Sequence, residues 1–416
     1  MSNQINRDRL LERFLAYVGV DTAANPDTTR YPSSAGQWEL GNLLTQQLED
    51  LGADYPHQDE HGLVWASVPA TDGGNSPTIA LIAHLDTSPE APSANISPQV
   101  IKNYEGGDIL LPSGQVIRVD QTPELNDLIG STLITTDGTT LLGGDDKAGV
   151  AIIMELAQHL IENPHLEHGT VRILFTCDEE IGRGTDKINL SKLDAAAAYT
   201  LDGGGAGDLD VETFSADAAT VTFRGHNIHP AIAKGRMVNA VRAAAYFVDL
   251  LPRDQQTPET TSGREGFIHA HNIHGGVGNA TVELILRSFD TAELDLFADQ
   301  IRTLAETVQE HFPGLQVDVQ VRSQYRNLAE GLQQSPEVVQ FAEQAYQNLQ
   351  RTYRKTIIRG GTDGSQLTEK GLPTPNLSSG QHNIHAVHEF ACLDQMEDAI
   401  EHLVELLRLW SQQAKS

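Results

Sequence analysis

The stretch Ile79-Ala80-Leu81-Ile82-Ala83-His84-Leu85-Asp86 decides the class of fold. Its first five residues are apolar, which is typical of a strand that is buried on both faces of a parallel sheet. The polar residues His84 and Asp86 follow where this predicted strand ends. Because ligands of open α/β sheets bind beyond the carboxyl ends of the strands, the stretch also indicates where a functional site would lie.

Helix and strand patterns alternate on both sides of this stretch. Before it, an amphipathic pattern begins near residue 10, and a second helix is predicted to start at Ser34, which forms a capping-box pattern with Gln37. After it, the polar segment 89–128 is predicted to be irregular, and helices and strands then alternate as far as residue 201. This alternation predicts an α/β domain in which helices flank a mainly parallel sheet.

The pattern changes after Gly203-Gly204-Gly205. Strands are predicted at 219–223, 267–272, 281–287 and 317–321, and helices at 237–250 and 292–312. This order, βαββαβ, is typical of a small ferredoxin-like domain. Because the first pattern resumes near residue 323, we predict a larger domain formed by residues 1–212 and 323–416, with residues 213–322 inserted into it.

The composition argues against several kinds of partner. The chain has 28 Lys and Arg residues against 57 Asp and Glu residues, a formal net charge of −29. Such a surface repels phosphate groups, so we expect neither nucleic acid nor a membrane as a partner. The two cysteines, Cys177 and Cys392, form no disulfide framework, and the sequence has no signal-peptide pattern and no long apolar run. These features predict a cytoplasmic protein.

Four short segments with acidic residues or histidine follow or adjoin predicted strands. In the first, His84 and Asp86 are two residues apart on an extended chain, so Asp86 could orient the ring of a metal-binding His84. A buried His–Asp pair without metal is the alternative. In the second, Asp145 and Asp146 open a predicted helix, where they could bind a metal or simply stabilise the helix N-terminus.

The third and fourth segments are Asp178-Glu179-Glu180, after the predicted strand 171–175, and Asp202, after the strand 197–201. Three adjacent carboxylates at the end of a buried strand repel one another without a cation, although a solvated acidic turn is the alternative. The histidine-rich segment 381–389 is a further candidate, which could also lie on the surface without a function. Its histidines are His382, His385 and His388.

Together the segments supply imidazole and carboxylate groups near one edge of the predicted sheet. Ligands of this kind, without cysteine, suit zinc, and they would also accept manganese or cobalt. Two metal ions that share one carboxylate lie about 3.5–4 Å apart and can act together on a water molecule and a carbonyl group. The sequence therefore predicts a hydrolytic site with two metal ions.

Longer strings in the chain match a known family. Examples are His84-Leu85-Asp86-Thr87-Ser88-Pro89, Asp145-Asp146-Lys147-Ala148-Gly149, Tyr199-Thr200-Leu201-Asp202-Gly203-Gly204 and Arg359-Gly360-Gly361-Thr362-Asp363-Gly364. Such matches run from near residue 9 to about residue 408. By these strings the chain resembles the peptidase T family of tripeptide aminopeptidases. That family is part of a larger group of two-zinc peptidases, which includes carboxypeptidase G and succinyl-diaminopimelate desuccinylase.

The resemblance implies a role for each candidate residue in the larger domain. It implies two zinc ions per chain, with His84 and Asp202 on one, Glu180 and His385 on the other, and Asp145 as the bridge. His385 is preferred because the family's ligand stands four residues before the Glu of a His-x-x-x-Glu-Phe string, here Glu389. Asp86 would orient His84. Glu179 would be the general base that takes a proton from the attacking water and returns it to the leaving amine.

The resemblance also implies how a substrate is bound. The enzyme would remove the N-terminal residue of small peptides, chiefly tripeptides, and the smaller domain would act as a lid and form a homodimer. His229 would complete an active site, that of the partner subunit, while Arg287 and Arg359 would pair with the terminal carboxylate of the peptide. Without the resemblance, these three would be an ordinary loop histidine and ordinary surface or structural arginines.

The chain departs from the family at a few positions near these motifs. Cys177 stands where Pro is usual before the acidic triplet, Ala386 replaces the usual Gly after His385, and Gln381 and His382 are also unusual. Neither Glu179 nor a metal ligand is lost, which argues against a non-catalytic peptide-binding protein. An acidic protein without metal would leave the carboxylate cluster from Asp178 to Glu180 uncompensated. A related two-zinc dipeptidase, carboxypeptidase or N-acyl amino acid hydrolase remains an alternative, because the metal ligands alone do not distinguish these enzymes.

Overall fold

The computed structural model describes residues 4–413, which contain helices and strands along most of their length. The helices are α1 (Arg7–Val18), α2 (Ala35–Leu51), α3 (Gly144–Glu162), α4 (Leu190–Leu193), α5 (Ala240–Leu250), α6 (Thr291–His311), α7 (Leu328–Leu332), α8 (Pro336–Asn348), α9 (Asp363–Glu369) and α10 (Leu393–Ser411). The first strands are β1 (Asp54–Gln58), β2 (Val64–Val68), β3 (Ile79–His84), β4 (Gln99–Ile101), β5 (Ile109–Leu110), β6 (Val116–Ile117), β7 (Leu133–Thr135), β8 (Val171–Thr176) and β9 (Ala197–Gly204). The later strands are β10 (Asp208–Thr213), β11 (Ser215–Arg224), β12 (Phe267–Gly276), β13 (Asn279–Ser288), β14 (Gln316–Tyr325), β15 (Arg354–Ile358), β16 (Asn376–His382) and β17 (Phe390–Cys392).

The chain forms two compact units. The larger unit comprises Met1–Val211, Glu330–Thr356 and Thr362–Ser416, and the smaller unit comprises Glu212–Ala329 and Ile357–Gly361. The smaller unit therefore starts close to the predicted residue 213, extends beyond the predicted residue 322, and takes up a short later segment. The functional roles assigned to the two parts stay predictions. Among residues 4–413, no helix combines the length and the apolar character needed to cross a membrane.

The main sheet has parallel strands at its centre. Its strand order is β1-β2-β8-β3-β9-β16-β17-β7-β4, and β10 pairs with both β15 and β16. The pairs β8–β3, β3–β9 and β9–β16 are parallel, whereas strands farther out pair antiparallel. All six residues of β3 are buried, as its apolar sequence predicts. The predicted α/β class, with a large sheet and helices packed on it, is confirmed.

The long helix α3 brings its N-terminus close to the end of β9. It packs on β3 and β9, and α1 and α10 also pack against it, so most of its residues are buried. Gly149 makes the approach to β9 close, because a Cβ atom at this position would lie only 2.4 Å from the carbonyl oxygen of Leu201. Asp145 and Asp146 at the start of α3 are thereby placed beside Asp202 in β9.

The smaller unit has the predicted ferredoxin-like order. Its elements β11, α5, β12, β13, α6 and β14 follow one another as βαββαβ. The strands form an antiparallel sheet with the order β12-β13-β11-β14. Alternate residues of β11, including Val221 and Phe223, share a core with Phe247 of α5 and Phe297 of α6. One face of the sheet is thus covered by the two helices, as the fold class requires.

Three local predictions are wrong. The segment 89–128 is not irregular throughout, because it contains β4, β5, β6 and a 3-10 turn at Pro123–Leu128. The helix predicted to start at residue 237 begins only at Ala240, since the Asn239 side chain caps it. Ser34 precedes α2 as predicted but forms no capping box, because its side chain accepts no backbone N–H of the helix, while Nε2 of Gln37 donates to the Ser34 hydroxyl and to Asp178.

Candidate metal centre

Neighbouring strand ends of the larger unit place the predicted ligands. β3 ends at His84, and β9 carries Asp202 close to its end. β8 stops just before the turn that contains Glu180, and His385 lies in the loop between β16 and β17. Together with Asp145 at the start of α3, these residues meet at the carboxyl edge of the parallel strands, where open α/β sheets bind their ligands.

Asp145 lies between the two histidines. Its Oδ1 is 2.9 Å from Nε2 of His84, and its Oδ2 is 3.3 Å from Nε2 of His385. On the first side, Oδ1 of Asp202 is 3.7 Å from the same His84 nitrogen. On the second side, Oε2 of Glu180 is 3.0 Å from the His385 nitrogen. We refer to His84 and Asp202 as the deep set and to His385 and Glu180 as the open set, with Asp145 shared by both.

The spacing and chemistry of these groups fit metal ions. Nitrogen and oxygen ligands around a tetrahedral zinc ion lie about 3.3 Å apart, since each bond is about 2.0–2.2 Å long. The donor separations in both sets lie near this value. In addition, Oε1 of Glu180 is buried and has no hydrogen-bond partner among the described residues, so this oxygen is available to coordinate a cation. The two donor sets therefore form a candidate site for two metal ions.

Asp146 also lies within reach of the deep set, but its carboxylate already has partners. Oδ2 accepts the backbone N–H of His84 at 3.2 Å, and Oδ1 accepts that of Gly149 at 3.2 Å. Asp145, by contrast, presents both side-chain oxygens to histidine nitrogens. Asp146 thus ties the start of α3 to the end of β3, and Asp145 is left to face the centre.

The grouped side chains shift one another's pKa values. Burial raises the pKa of Glu180 to about 7 and that of Asp202 to about 6, and the charge of Asp145 adds to both shifts. Hydrogen bonds to Asp145 and Glu180 raise the pKa of His385 to about 11. Burial opposes a charge on His84, yet Asp145 and Asp202 still raise its pKa well above the usual value. The carboxylates therefore favour the protonated form of both histidines, and burial favours the neutral form of Glu180 and Asp202.

Asp86 is bonded mainly to the turn that carries Glu179 and Glu180. Its Oδ1 and Oδ2 accept the backbone N–H groups of these two residues at 3.1 and 3.0 Å. Nδ1 of His84 lies 3.0 Å from the carbonyl oxygen of Asp86 and 3.5 Å from its carboxylate. The main chain of Asp86 therefore contacts the imidazole ring more closely than its side chain does. Burial raises the pKa of Glu179 well above its ordinary range.

Two further buried carboxylates support the centre, and the sequence analysis did not select them as site residues. Oε2 of Glu389 accepts the N–H groups of Leu142 and Gly143 at 2.6 and 2.8 Å, and Oε1 accepts that of Asp145 at 3.1 Å. Asp363 accepts a hydrogen bond from the hydroxyl of Thr176 at 2.7 Å. Both residues belong to sequence strings that carry the family resemblance, and these strings were the one feature of the sequence that could have identified them. Their contacts come from elements distant in the sequence and give no local pattern.

The position of Asp178 differs from the prediction. The three adjacent carboxylates were expected to need a cation, but Asp178 points away from Glu179 and Glu180. Its carboxylate is buried and accepts hydrogen bonds from Ser33 and Gln37. Only two residues of the triplet therefore belong to the centre.

Among the three histidines of segment 381–389, the structure brings His385 to the other ligands. His382 instead pairs through Nε2 with Gln395 at 2.7 Å and stacks on Phe390. Nδ1 of His385 lies 3.1 Å from Oε2 of Glu90, a carboxylate on the loop after β3. Glu90 is a further contact that the sequence analysis missed.

The predicted substrate-binding residues belong to the smaller unit, and each has protein partners there. His229 is exposed, and its Nδ1 accepts the backbone N–H of Ala231 at the start of a 3-10 turn. The guanidinium group of Arg287 donates to the carbonyl oxygens of Asp217 and Leu286 and to the side chain of Gln324. That of Arg359 donates to the carbonyl oxygens of Gly263 and Glu265 and to the hydroxyl of Thr261.

The chain is similar to known peptidases over most of its length. Residues 136–409 match the family described as Peptidase family M20/M25/M40. Peptidase T of Geobacillus thermodenitrificans is 41% identical over 408 residues, which cover 98% of this chain and 99% of the relative. Peptidase T of Bacillus subtilis is 40% identical over 410 residues, which cover 98% of this chain and 100% of the relative.

Solved structures with the same fold span nearly the whole chain. The aminopeptidase PepT from Bacillus cereus is 25% identical, with a TM-score of 0.75 over 98% of this chain and 100% of that chain. A tripeptidase from Staphylococcus aureus is 23% identical and shows the same fold, with a TM-score of 0.76 over 99% of this chain and 100% of that chain. The chain therefore belongs to peptidase family M20/M25/M40 and, within it, to the peptidase T group.

Proposed function

We propose that this peptidase is a two-zinc aminopeptidase that releases the N-terminal residue of tripeptides. The observation that carries the proposal is the position of Asp145, whose two oxygens face two histidines, each accompanied by a further carboxylate. The similarity to peptidase T over almost the whole of both chains supports peptides as the substrates and tripeptides as the preferred length.

The deep set would hold one zinc ion, the open set would hold the other, and Asp145 would be a ligand of both. Zinc in such a centre supplies Lewis acidity, which polarises the peptide carbonyl group and makes a water molecule more acidic. Imidazole and carboxylate ligands without cysteine suit zinc, and the same groups would accept manganese or cobalt. In this arrangement, every histidine and carboxylate of the two sets would be a metal ligand.

Glu179 would act as the general base. Its backbone N–H is held by Asp86, while Glu180, the next residue, faces His385 as part of the open set. The backbone of Glu179 is therefore held next to Glu180, the residue proposed as a metal ligand, and its own carboxylate would stay free to transfer protons. It would take a proton from the attacking water and donate a proton to the amine that leaves.

Residues of the smaller unit would also take part in substrate binding. We assign His229, Arg287 and Arg359 to substrate binding and the smaller unit to the lid on the basis of the family resemblance. The contacts of Arg287 and Arg359 with backbone carbonyl groups hold both guanidinium groups in place. Formation of a homodimer through the smaller unit and a cytoplasmic location stay predictions.

A product assay tests the proposal. The substrates are trialanine, dialanine, tetraalanine and N-acetyl-trialanine, each offered before chelation, after chelation and after zinc is returned. We expect trialanine to be cleaved best, at its first peptide bond, and zinc to restore the activity. A preference for dialanine or for the acetylated peptide would overturn the substrate assignment. The activity would then be that of a related two-zinc dipeptidase, carboxypeptidase or N-acyl amino acid hydrolase.

A further inference from the structure

We infer that Gln37, in the first turn of α2, is a positioning residue for the general base. The inference rests on the proposed function, because Gln37 has this task only if Glu179 transfers protons. Gln37 acts through Asp178, the residue that precedes Glu179 in the turn after β8.

The side-chain amide of Gln37 contacts Asp178 at two points. Its Oε1 accepts the backbone N–H of Asp178 at 3.0 Å, and its Nε2 donates to Oδ1 of Asp178 at 2.7 Å. Gln37 is fully buried, with 0% of its surface exposed. The side-chain amide of glutamine has a hydrogen-bond donor and an acceptor side by side. The carboxylate of glutamate has acceptors only, and the thioether of methionine is only a weak acceptor. Glutamine therefore fits both groups of Asp178.

Ser33 completes the set of donors around the Asp178 carboxylate. Its backbone N–H lies 3.0 and 2.8 Å from the two carboxylate oxygens, and its hydroxyl donates to Oδ1 at 2.5 Å. The segment that leads into α2 thus supplies hydrogen-bond donors to the buried charge of the Asp178 carboxylate. Such charges are strongly destabilising when their hydrogen bonds are lost.

The turn itself needs support from outside. Asp178 has φ +62° and lies in the left-handed region, which non-glycine residues adopt infrequently. Backbone hydrogen bonds from Gly182 to Glu179 and from Arg183 to Asp178 close the turn at 2.7 and 2.8 Å. Asp86 holds the N–H groups of Glu179 and Glu180 from one direction. Gln37 and Ser33 hold Asp178 from the other direction, so the backbone of Glu179 is fixed on both sides.

This double support matters because a general base works only within hydrogen-bond reach of the proton that it takes. A displacement of about 1 Å in such a group can cost about a hundredfold in rate. Loss of the Gln37 amide would release one side of the turn. Because Glu180 belongs to the same turn, zinc binding to the open set should weaken as well, which provides a readout independent of activity.

The test compares Gln37→Met, Gln37→Glu and the double variant Gln37→Glu with Asp178→Asn. We expect Gln37→Met to lower kcat about tenfold or more at saturating zinc, with little change in KM for trialanine. It should also weaken the binding of one zinc ion per chain. Gln37→Glu should have a larger effect, since it places two carboxylates face to face. The double variant should regain much of the loss, because the amide introduced at position 178 can donate to the carboxylate introduced at position 37.

Controls separate this inference from the proposed function. Gln46→Met makes the same change on the exposed face of α2 and should leave kcat and zinc binding unchanged, and thermal melting checks that every variant is folded. Wild-type kcat and zinc affinity in Gln37→Met, or a double variant no better than Gln37→Glu, would overturn the inference. Glu179→Gln is measured in the same assay. Full activity in that variant would instead overturn the assignment of the general base.

Discussion

The deep set and the open set share Asp145 but differ in how the protein holds them. His84 is 3% exposed and ends a fully buried strand, whereas His385 is 32% exposed and lies in a loop. Asp202 receives hydrogen bonds from Gln381 at 3.0 and 3.1 Å, to its carbonyl and carboxylate oxygens. Nδ1 of His385 contacts Glu90, whose side chain is 69% exposed.

The difference indicates what each side of the centre is suited to do. A ligand set built on strands is rigid and changes little when a substrate arrives, while a set that includes a loop can adjust. The open set also adjoins Glu179 through Glu180. We therefore expect the deep set to retain its ion more firmly and the open set to exchange its ion more readily.

Removal of the shared ligand would abolish the difference between the two sets. Asp145→Ala takes one carboxylate oxygen from each set, so both ions should be lost together. We expect kcat/KM for trialanine to fall by at least about a thousandfold, on the scale of the loss of an essential group. Metal analysis after dialysis checks the stoichiometry. Retention of one firmly bound ion would show that Asp145 is not shared.

Removal of an open-set ligand should expose the difference directly. His385→Ala leaves the deep set complete, so about one of the two ions should remain after dialysis, with activity reduced more than about tenfold. His388→Ala is the matched control, because it removes another histidine of the same loop. If His388→Ala loses an ion and His385→Ala keeps both, the ligand in this loop has been assigned to the wrong histidine.

A smaller loss of zinc affinity is expected when Glu389, which holds the backbone of Asp145, is changed. In the wild-type protein, backbone N–H groups donate to both carboxylate oxygens of Glu389. Glu389→Gln replaces one of these oxygens by an NH₂ group, so two donors would face each other. The start of α3, which carries Asp145, should shift, and zinc affinity should fall about tenfold, at the lower end of the range for groups that support metal ligands. Competition with a chromogenic chelator measures the affinity. The exposed Glu310→Gln serves as control, and equal affinities in both variants would contradict the supporting role.

The pKa shifts predict the release of protons when zinc binds. Without metal, His385 has a pKa of about 11, and Asp145 and Asp202 raise the pKa of His84 well above its usual value, so both rings favour the protonated form. Zinc binds only the deprotonated nitrogen, so about two protons should leave as both sites fill. As the pH falls through the pKa values of about 7 and about 6 for Glu180 and Asp202, these carboxyl groups also hold protons. More protons should then be released, and zinc should bind more weakly.

Calorimetry in buffers of different ionisation enthalpy measures this release. A proton count that stays at zero between about pH 6 and pH 8 would contradict the predicted charge balance. A count that falls as the pH is lowered would contradict the raised pKa values of Glu180 and Asp202.

Much of the fold could be predicted from local patterns, because they record burial. The apolar run before His84 identified a central strand, and the βαββαβ order of the smaller unit followed from alternation and helical spacing. The supports of the centre could not be predicted in this way. Gln37 and Asp178 are 141 positions apart, and Glu389 is 244 positions from Asp145. Only the folded chain shows that these groups meet.

The family resemblance supplied what local patterns lacked at the metal centre, namely the choice of His385 among three histidines and the sharing of Asp145. In the larger unit, Asp145 lies between His84 and His385, and both choices stay predictions. For His229, Arg287 and Arg359 the same resemblance named substrate contacts, while the structure shows hydrogen bonds within the smaller unit. Their proposed role is to contact a bound peptide, so it leaves no mark on the contacts within the protein.

The central claim is that Asp145 is shared by two metal ions. Anomalous X-ray scattering at the zinc edge, from crystals grown with zinc, tests it most directly. The account predicts two peaks about 3.5–4 Å apart, one on each side of the Asp145 carboxylate, with the weaker peak beside His385. A single peak, or two peaks of which one has no contact with Asp145, would contradict the account.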